Sequence, residues 1–166
     1  IQACENYKAN IVFTNAEKAF DEVKEAEKQG YKFVHPFDGV HTLQGSATLG
    51  LEIINQINEI DAKIDNILIS VGGGGLISGV GAVLKQYFPN INLIGIEPEG
   101  AKGITDSLKA NQPLKKVQIN SIADSLCAPV HMPYSFSIAK QVIDEMININ
   151  DKEMSDAMVF CYNHLK

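Results

Sequence analysis

The sequence predicts an α/β protein with a mainly parallel sheet and flanking helices, arranged in three αβα layers. Segments with the apolar pattern of strands alternate along the chain with segments of helical periodicity. Residues 67–71 are almost continuously apolar, which is typical of a strand buried on both faces of a parallel sheet. Four glycines and a helical segment follow, and residues 91–97 have the pattern of the next strand.

The amino-terminal part predicts two helices and two short strands. Residues 1–8 have the pattern of the end of a helix, and Asn15 and Gly30 are suited to cap and end the next helix. Residues 10–14 and 31–34 are rich in β-branched and aromatic side chains, which favour strands.

The remaining elements continue the alternation. Residues 39–45 predict a loop, and apolar residues at helical spacing predict a helix from Ser46 onward. Beyond residue 71 we expect helices over 76–88, 104–109 and 136–146, strands over 91–97 and 147–149, and a loop over 123–134. Asn150 and Glu153 have the spacing of a capping box and predict the start of a last helix, which continues to the end of the chain.

Charge and composition limit the classes of partner. The 166 residues carry a formal net charge of −6, and all fourteen basic residues are lysines. This composition predicts no nucleic-acid partner and no arginine clamp for a ligand. No apolar run reaches the roughly 18 residues of a membrane span, so we expect no membrane partner. The three cysteines are widely spaced, which predicts reduced thiols in a cytoplasmic protein.

The glycine segment is the strongest functional signal. Gly72, Gly73, Gly74 and Gly75 join a strand to a helix that begins at Leu76. A helix N-terminus presents unpaired N–H groups and a positive dipole end, and glycine lets the backbone curl closely around an anion. No lysine lies between residues 64 and 84, so a phosphate group bound here would depend on backbone amides.

Other glycine-rich sites fit this segment less well. A P-loop needs G-x-x-x-x-G-K-[ST], and no Lys-Ser or Lys-Thr pair follows the glycines. A dinucleotide site needs G-x-G-x-x-G, which no register of the segment provides, although Glu97 ends the next strand where a ribose-binding acid would lie. The alternatives are an NAD-dependent oxidoreductase, a non-catalytic anion-binding module, and a turn that only permits close packing.

With its neighbours, the segment resembles a known family. S-V-G-G-G-G-L-I-S-G at 70–79 resembles the phosphate loop of the threonine (serine) dehydratases and serine racemases. These are pyridoxal-phosphate (PLP) enzymes of fold type II, with a tryptophan-synthase-β-like fold. Further matches follow the family's order: P-F-D at 36–38, G-S-A-T-L-G-L-E at 45–52, L-I-G-I-E-P-E-G-A at 93–101 and I-A-D at 122–124.

The resemblance implies a cofactor, a reaction and a set of site residues. The phosphate of PLP would be bound by Gly72, Gly73, Gly74, Gly75 and Leu76, and Ser125 would line the cofactor pocket. The whole protein would deaminate a β-hydroxy amino acid of the threonine or serine type, giving a 2-oxo acid and ammonia, and it would be a homo-oligomer.

The resemblance also implies how the chain relates to whole members of the family. The family's Schiff-base lysine is expected upstream of Ile1, so no catalytic residue is assigned in this chain. The chain resembles an internal piece of such an enzyme, which we expect to be inactive alone. Residues 1–30 would be the end of the small domain, and residues 31–166 would be a carboxyl-terminally truncated part of the large domain.

A weaker cation site follows from the same resemblance. Some members bind a divalent cation through a Glu, a carbonyl four residues later and an Asp two residues beyond, and these positions are Glu97, Ala101 and Gly103 here. Because Gly103 has no carboxylate, the site is predicted to be weakened or absent. The alternative is that Glu97 is a surface acid. The four histidines, including His131, show no metal-ligand spacing and are interpreted as loop or surface residues.

Overall fold

Two compact units divide the chain, Ile1–Val34 and His35–Lys166. The computed structural model describes residues 1–165, and at residues 16 and 17 it describes only the backbone. The first unit has two helices, α1 (Gln2–Asn6) and α2 (Ala16–Lys28).

The two strands predicted in the first unit are wrong. Residues 10–14 and 31–34 have no regular secondary structure, and most of their apolar side chains are exposed. A strand needs a neighbouring strand to pair its backbone groups, and the described residues of this unit provide none. The predicted cap of α2 is present, because the Asn15 side chain accepts a hydrogen bond from the N–H of Lys18 at 2.9 Å.

A three-stranded parallel sheet lies at the centre of the second unit. Its strands are β1 (Asn66–Ser70), β2 (Asn92–Pro98) and β3 (Glu145–Ile149), in the order β1-β2-β3. Both pairings are parallel, and Ile69 of β1 lies opposite Gly95 of β2. The predicted α/β class, with a parallel sheet and flanking helices, is confirmed.

Helices connect and flank these strands. In the described part of the second unit they are α3 (Val40–Glu59), α4 (Gly75–Tyr87), α5 (Gly103–Ala110), α6 (Pro133–Val142) and α7 (Asp151–His164), with 3₁₀ turns at Glu99–Ala101 and Asp124–Leu126. The connection from β1 to β2 contains α4, and the connection from β2 to β3 contains α5 and α6. Parallel strands require crossovers of this kind.

The helix α3 begins at Val40, six residues before the predicted start at Ser46. Its early turns bury Leu43, whose carbonyl oxygen would lie 2.5 Å from a Cβ added to Gly79 of α4. Gly45 is exposed and lowers helix propensity without interrupting the helix. The close contact with α4 therefore outweighs the glycines that had predicted a loop.

The strand β1 is less buried than its apolar sequence predicted. Ile69 is buried, but Leu68 is 62% exposed, and β1 lies at an edge of the three-stranded sheet. The central strand β2 is buried along most of its length. A continuous apolar run therefore identified a strand here but not its position in the sheet.

The boundary between α6 and β3 also differs from the prediction. The helix ends at Val142, and β3 begins at Glu145. Between them, the carboxylate of Asp144 accepts hydrogen bonds from the N–H of Leu93 at 2.7 Å and from Nζ of Lys85 at 2.5 Å. These bonds tie the connection to distant residues, which helical periodicity over 136–146 does not reveal.

The helix α4 packs most tightly into the core. Ile77 and Leu84 are fully buried. A Cβ added to Gly81 would lie 2.7 Å from Cδ2 of Leu93 and 2.8 Å from Cγ2 of Val142, so this glycine allows α4 to approach both β2 and α6.

We predict opposite effects for two glycine-to-alanine substitutions inside helices. Gly81→Ala should lower the free energy of unfolding by about 1–3 kcal/mol, because the new methyl group overpacks the core. Gly45→Ala is the matched control, since nothing lies within 4 Å of a Cβ there, and it should raise stability by about 0.5–1 kcal/mol through helix propensity. Urea denaturation measures both, and equal effects would contradict the packing described here.

Candidate anion-binding site

A tight glycine turn joins β1 to α4. Val71 still belongs to the sheet, because its N–H donates to the carbonyl oxygen of Ile96 at 2.8 Å. Gly74 is the N-cap of α4 and has a φ of +91°, in the left-handed region that is unfavourable for residues with a Cβ. The helix begins at Gly75, one residue before the predicted start. Glycine at position 74 therefore sets the direction in which the chain enters α4.

A row of six backbone amides in this turn has no hydrogen-bond acceptor among residues 1–165. They are the N–H groups of residues 72–77, and the first paired amide of α4 is that of Ser78, which donates to the carbonyl oxygen of Gly74 at 3.0 Å. Unpaired amides at a helix N-terminus attract anions, and the helix dipole adds to the attraction. The predicted residues Gly72, Gly73, Gly74, Gly75 and Leu76 thus lie together in one row of donors.

Phe37 packs directly against the glycine turn. A Cβ on Gly73 would lie 2.1 Å from Cγ of Phe37, and a Cβ on Gly75 would lie 2.7 Å from its carbonyl oxygen. The neighbouring Asp38 is held in place because its Oδ1 accepts a hydrogen bond from the N–H of Ser135 at 2.6 Å. Close packing therefore also requires glycine here. The P-F-D match was the one sequence signal that could have identified this contact.

The 3₁₀ turn Asp124–Leu126 packs against the start of the glycine turn. A Cβ on Gly72 would lie 3.1 Å from both Cα and the carbonyl oxygen of Leu126. Ser125 is adjacent to this contact and exposed, and its N–H and Oγ donate to Oδ1 of Asp124 at 2.7 and 3.2 Å. The structure therefore places the predicted pocket residue near the glycines, with its hydroxyl hydrogen-bonded to Asp124.

His131 is a buried residue that the sequence interpretation missed. It lies in a loop, but its 4% exposure contradicts the expected surface position. Its backbone N–H donates to the carbonyl oxygen of Leu114 at 2.8 Å. Burial lowers the pKa of the imidazole, and a hydrogen bond to the backbone of Gly73 partly opposes this effect. The sequence carried no signal for this burial, because the contacts come from residues distant in the chain.

Glu97 is buried at the carboxyl end of β2, with an exposure of only 1%. Its two carboxylate oxygens accept hydrogen bonds from the N–H of Thr105, in the first turn of α5, at 3.2 and 3.3 Å. Burial raises the pKa of Glu97 to about 7, although these hydrogen bonds act in the opposite direction. The alternative of a surface acid is wrong, because the start of α5 encloses the carboxyl group.

Among the described residues, the structure adds no side-chain ligand to the cation site predicted at Glu97 and Ala101. Ala101 is a buried residue of the 3₁₀ turn after β2, and Gly103 offers no side chain. Across residues 1–165, no group of three or more His, Cys, Asp or Glu side chains is placed to hold a metal ion. A divalent cation at Glu97 and Ala101 stays a prediction.

Comparison with protein families identifies the chain. The family model described as pyridoxal-phosphate dependent enzyme matches residues 1–166. The chain belongs to this family of PLP-dependent enzymes. The resemblance first seen in the glycine segment is therefore supported by a match to this family over the whole sequence.

Individual relatives of this PLP-family chain are dehydratases, ammonia-lyases and racemases. It is 38% identical, over 100% of its length, to a phenylserine dehydratase of Ralstonia pickettii. It is 33% identical, over 89% of its length, to an L-threonine ammonia-lyase of Thermotoga maritima. The structure of maize serine racemase matches 99% of the chain with a TM-score of 0.88 and 29% identity. The predicted resemblance to threonine dehydratases and serine racemases is confirmed.

The chain spans about half the length of these relatives or less. It covers 50% of the phenylserine dehydratase, 37% of the ammonia-lyase and 51% of the racemase chain. No helix within residues 1–165 is long and apolar enough to cross a membrane.

We predict that Glu97 makes the stability of this PLP-family chain depend on pH. Its folded pKa of about 7 lies above the ordinary value of 4.5. The folded chain therefore binds more protons than the unfolded chain between these values, and stability should fall as pH rises through this window and then level off. Glu97→Gln, which keeps an oxygen acceptor for Thr105 but cannot ionise, should remove up to about 3 kcal/mol of this pH dependence.

Urea denaturation from pH 4.5 to 8 measures the effect as the difference between variant and wild type. Glu99→Gln is the control, because it changes an exposed acid two residues away and should leave the slope unchanged. Parallel profiles for wild type and Glu97→Gln would show that the carboxyl group is not buried as described.

Proposed function

We propose that this chain binds the phosphate group of PLP through the backbone amides of Gly72, Gly73, Gly74, Gly75 and Leu76. The observation that carries the proposal is the row of unpaired amides from residue 72 to residue 77 at the start of α4. Membership of the PLP-dependent family supports phosphate, rather than another anion, as the ligand.

The residues present fit a phosphate dianion. Hydrogen bonds from amides to a charged group contribute about 1.5–3 kcal/mol each, so several amides can bind a dianion without a cationic side chain. This matters because no lysine lies between residues 64 and 84. Packing by Phe37 and Leu126 fixes the turn before any ligand arrives, which reduces the entropy cost of binding.

PLP, when bound, supplies an electron sink for bond breaking at the α- and β-carbons of an amino acid. The residues of this chain would bind and orient the cofactor through its phosphate, and Ser125 would line its pocket beside the turn Asp124–Leu126. None of the lysines of this chain is assigned a catalytic role.

For the whole protein we propose deamination of a β-hydroxy amino acid. Elimination of the β-hydroxyl as water would leave an enamine that becomes an imine, and hydrolysis of this imine by water would release ammonia and leave a 2-oxo acid, with no net loss of water. The names of the phenylserine dehydratase and of the L-threonine ammonia-lyase support this reaction class, and that of the serine racemase supports a β-hydroxy amino acid as ligand.

We also propose a domain organisation, a cellular location and an oligomeric state for the whole protein. Residues 1–30 would end the small domain and residues 31–166 would belong to the large domain, and the division of the chain after Val34 supports a boundary near this position. We propose a cytoplasmic homo-oligomer with no nucleic-acid partner. The unpaired state of the three cysteines supports the cytoplasmic location. Exposed apolar side chains on α7 support association between copies of the chain, and the net charge of −6 supports the absence of a nucleic-acid partner.

We predict that Gly74→Ala weakens PLP binding by about tenfold to a hundredfold, because a Cβ disfavours the φ of +91° on which the donor row depends. Binding of pyridoxal, which lacks the phosphate, should change little. Gly30→Ala is the matched control, since Gly30 has a φ of +95° and nothing within 4 Å of an added Cβ. Titration of the complete protein, followed by absorbance, measures both affinities. Equal losses for PLP and pyridoxal would contradict phosphate binding by the turn.

We also predict that the complete protein with PLP releases ammonia and a 2-oxo acid in equal amounts from L-threonine, L-serine or 3-phenylserine. L-Alanine is the control, because it has no β-hydroxyl group to leave. Tight NADH binding by a protein that does not respond to PLP would instead favour the oxidoreductase alternative. Binding of phosphate without turnover of any of these amino acids would favour the anion-binding module.

A further inference from the structure

Phe37 contacts two glycines of the turn from a short segment, residues 35–38, that is neither helix nor strand. A Cβ on Gly73 would lie 2.1 Å from Cγ of the Phe37 ring, and a Cβ on Gly75 would lie 2.8 Å from its Cα. Because the contacts are this close, a small displacement of residues 35–38 would change the packing that shapes the turn. The position of this segment therefore depends on its bonds to other elements.

Asp38 anchors the segment to a distant part of the chain. Its Oδ1 accepts a hydrogen bond from the N–H of Ser135 at 2.6 Å, and the two residues are 97 positions apart in the sequence. Ser135 is the third residue of α6, so Asp38 accepts from one of the amides that the start of a helix leaves unpaired. The partial positive charge at this end of α6 also favours the carboxylate.

The bond between Asp38 and Ser135 closes a ring of contacts around the turn. The carbonyl oxygen of Ser135 accepts a hydrogen bond from the hydroxyl of Ser78 at 2.9 Å, and both serines are fully buried. Ser78 lies in the first turn of α4, directly after the glycine turn that Phe37 contacts. Each member of the ring therefore limits the movement of the next.

We propose that Asp38 is a positioning residue for the anion site. By holding residues 35–38 against α6, it keeps Phe37 on the glycine turn and so keeps the amides of residues 72–77 in the arrangement that binds phosphate. The inference rests on the proposed phosphate site. Asp38 does not touch the ligand in this account, because it acts through Phe37.

The charge of Asp38 distinguishes this role from a direct electrostatic one. A carboxylate close to an anion site repels the anion, so loss of the charge alone would strengthen phosphate binding. A positioning role predicts weaker binding when the acceptor is lost, because residues 35–38 would no longer be held against α6. Asp38→Asn separates the two effects, since it removes the charge and keeps an oxygen acceptor, whereas Asp38→Ala removes both.

The test measures the phosphate contribution to cofactor binding in the complete protein. This contribution is the ratio of the dissociation constant of pyridoxal to that of PLP, and absorbance titration gives both constants. A general loss of stability weakens both ligands alike, whereas a disturbed phosphate site weakens PLP alone. The ³¹P chemical shift of bound PLP reports on the same site. Asp65→Ala is the matched control, because it removes an exposed carboxylate, and circular dichroism confirms folding.

We expect Asp38→Ala to lower the ratio by about tenfold, the effect of one charge-assisted hydrogen bond, and to move the ³¹P signal. Asp38→Asn should keep the ratio at the wild-type value or above it. Asp65→Ala should leave the ratio unchanged. Phe37→Leu should lower the ratio with Asp38 intact, because it removes the ring that contacts Gly73.

The outcomes that would overturn the inference are distinguishable. Equal affinities of the wild type for PLP and pyridoxal would remove the phosphate site and the role of Asp38 with it. A wild type that prefers PLP, with an unchanged or higher ratio in folded Asp38→Ala, would remove only the role of Asp38. Equal losses in Asp38→Asn and Asp38→Ala would refute a role of the acceptor oxygen. If Asp38→Ala does not fold, an unchanged ratio in Phe37→Leu would refute the proposal.

Discussion

The site depends on one steric constraint, which is that neighbouring groups lie very close to the positions that side chains would occupy in the turn between β1 and α4. Phe37 occupies the space beside Gly73 and Gly75, and the backbone of Leu126 occupies the space beside Gly72. Four successive glycines are costly, because each loses much conformational freedom on folding. The surrounding packing offsets this cost and gives a turn whose amides remain unpaired in the described chain. The absence of side chains at these glycines therefore allows both the close packing of the turn and the exposure of its amide donors.

The helix behind the turn makes it rigid. α4 is anchored by fully buried Ile77 and Leu84, and Gly81 lets it lie directly against β2 and α6. Near its start, the buried Ser78 hydroxyl donates to the carbonyl oxygen of Ser135 at 2.9 Å, while the N–H of Ser135 donates to Asp38. One residue of α6 thus connects α4 to the segment that carries Phe37. An anion arriving at such a turn meets donors that are already oriented.

Local patterns in the sequence were sufficient for the main elements but not for what surrounds them. The apolar run followed by glycines correctly predicted β1, the turn and α4, because strand burial and glycine geometry are local properties. The same reasoning failed for residues 10–14 and 31–34, where strand propensity found no partner, and at Gly45, where packing against α4 overrides a loop signal. Phe37 contacts the turn and His131 is buried only through the fold, so residue type alone could not predict either.

The N-termini of α4 and α5 lie side by side at this end of the sheet, and they differ in whether their amides have a hydrogen-bond acceptor within the chain. Gly74 at the start of α4 approaches Ile104 in the first turn of α5, with an added Cβ 3.3 Å from its Cδ1. The amide of Thr105 in α5 already has an internal acceptor, the buried carboxyl group of Glu97. The amides at the start of α4 have no such acceptor within the described residues. Since both ends carry the same partial positive charge, the difference is that one is satisfied by a side chain of the protein, whereas the other is free to bind an anion from outside.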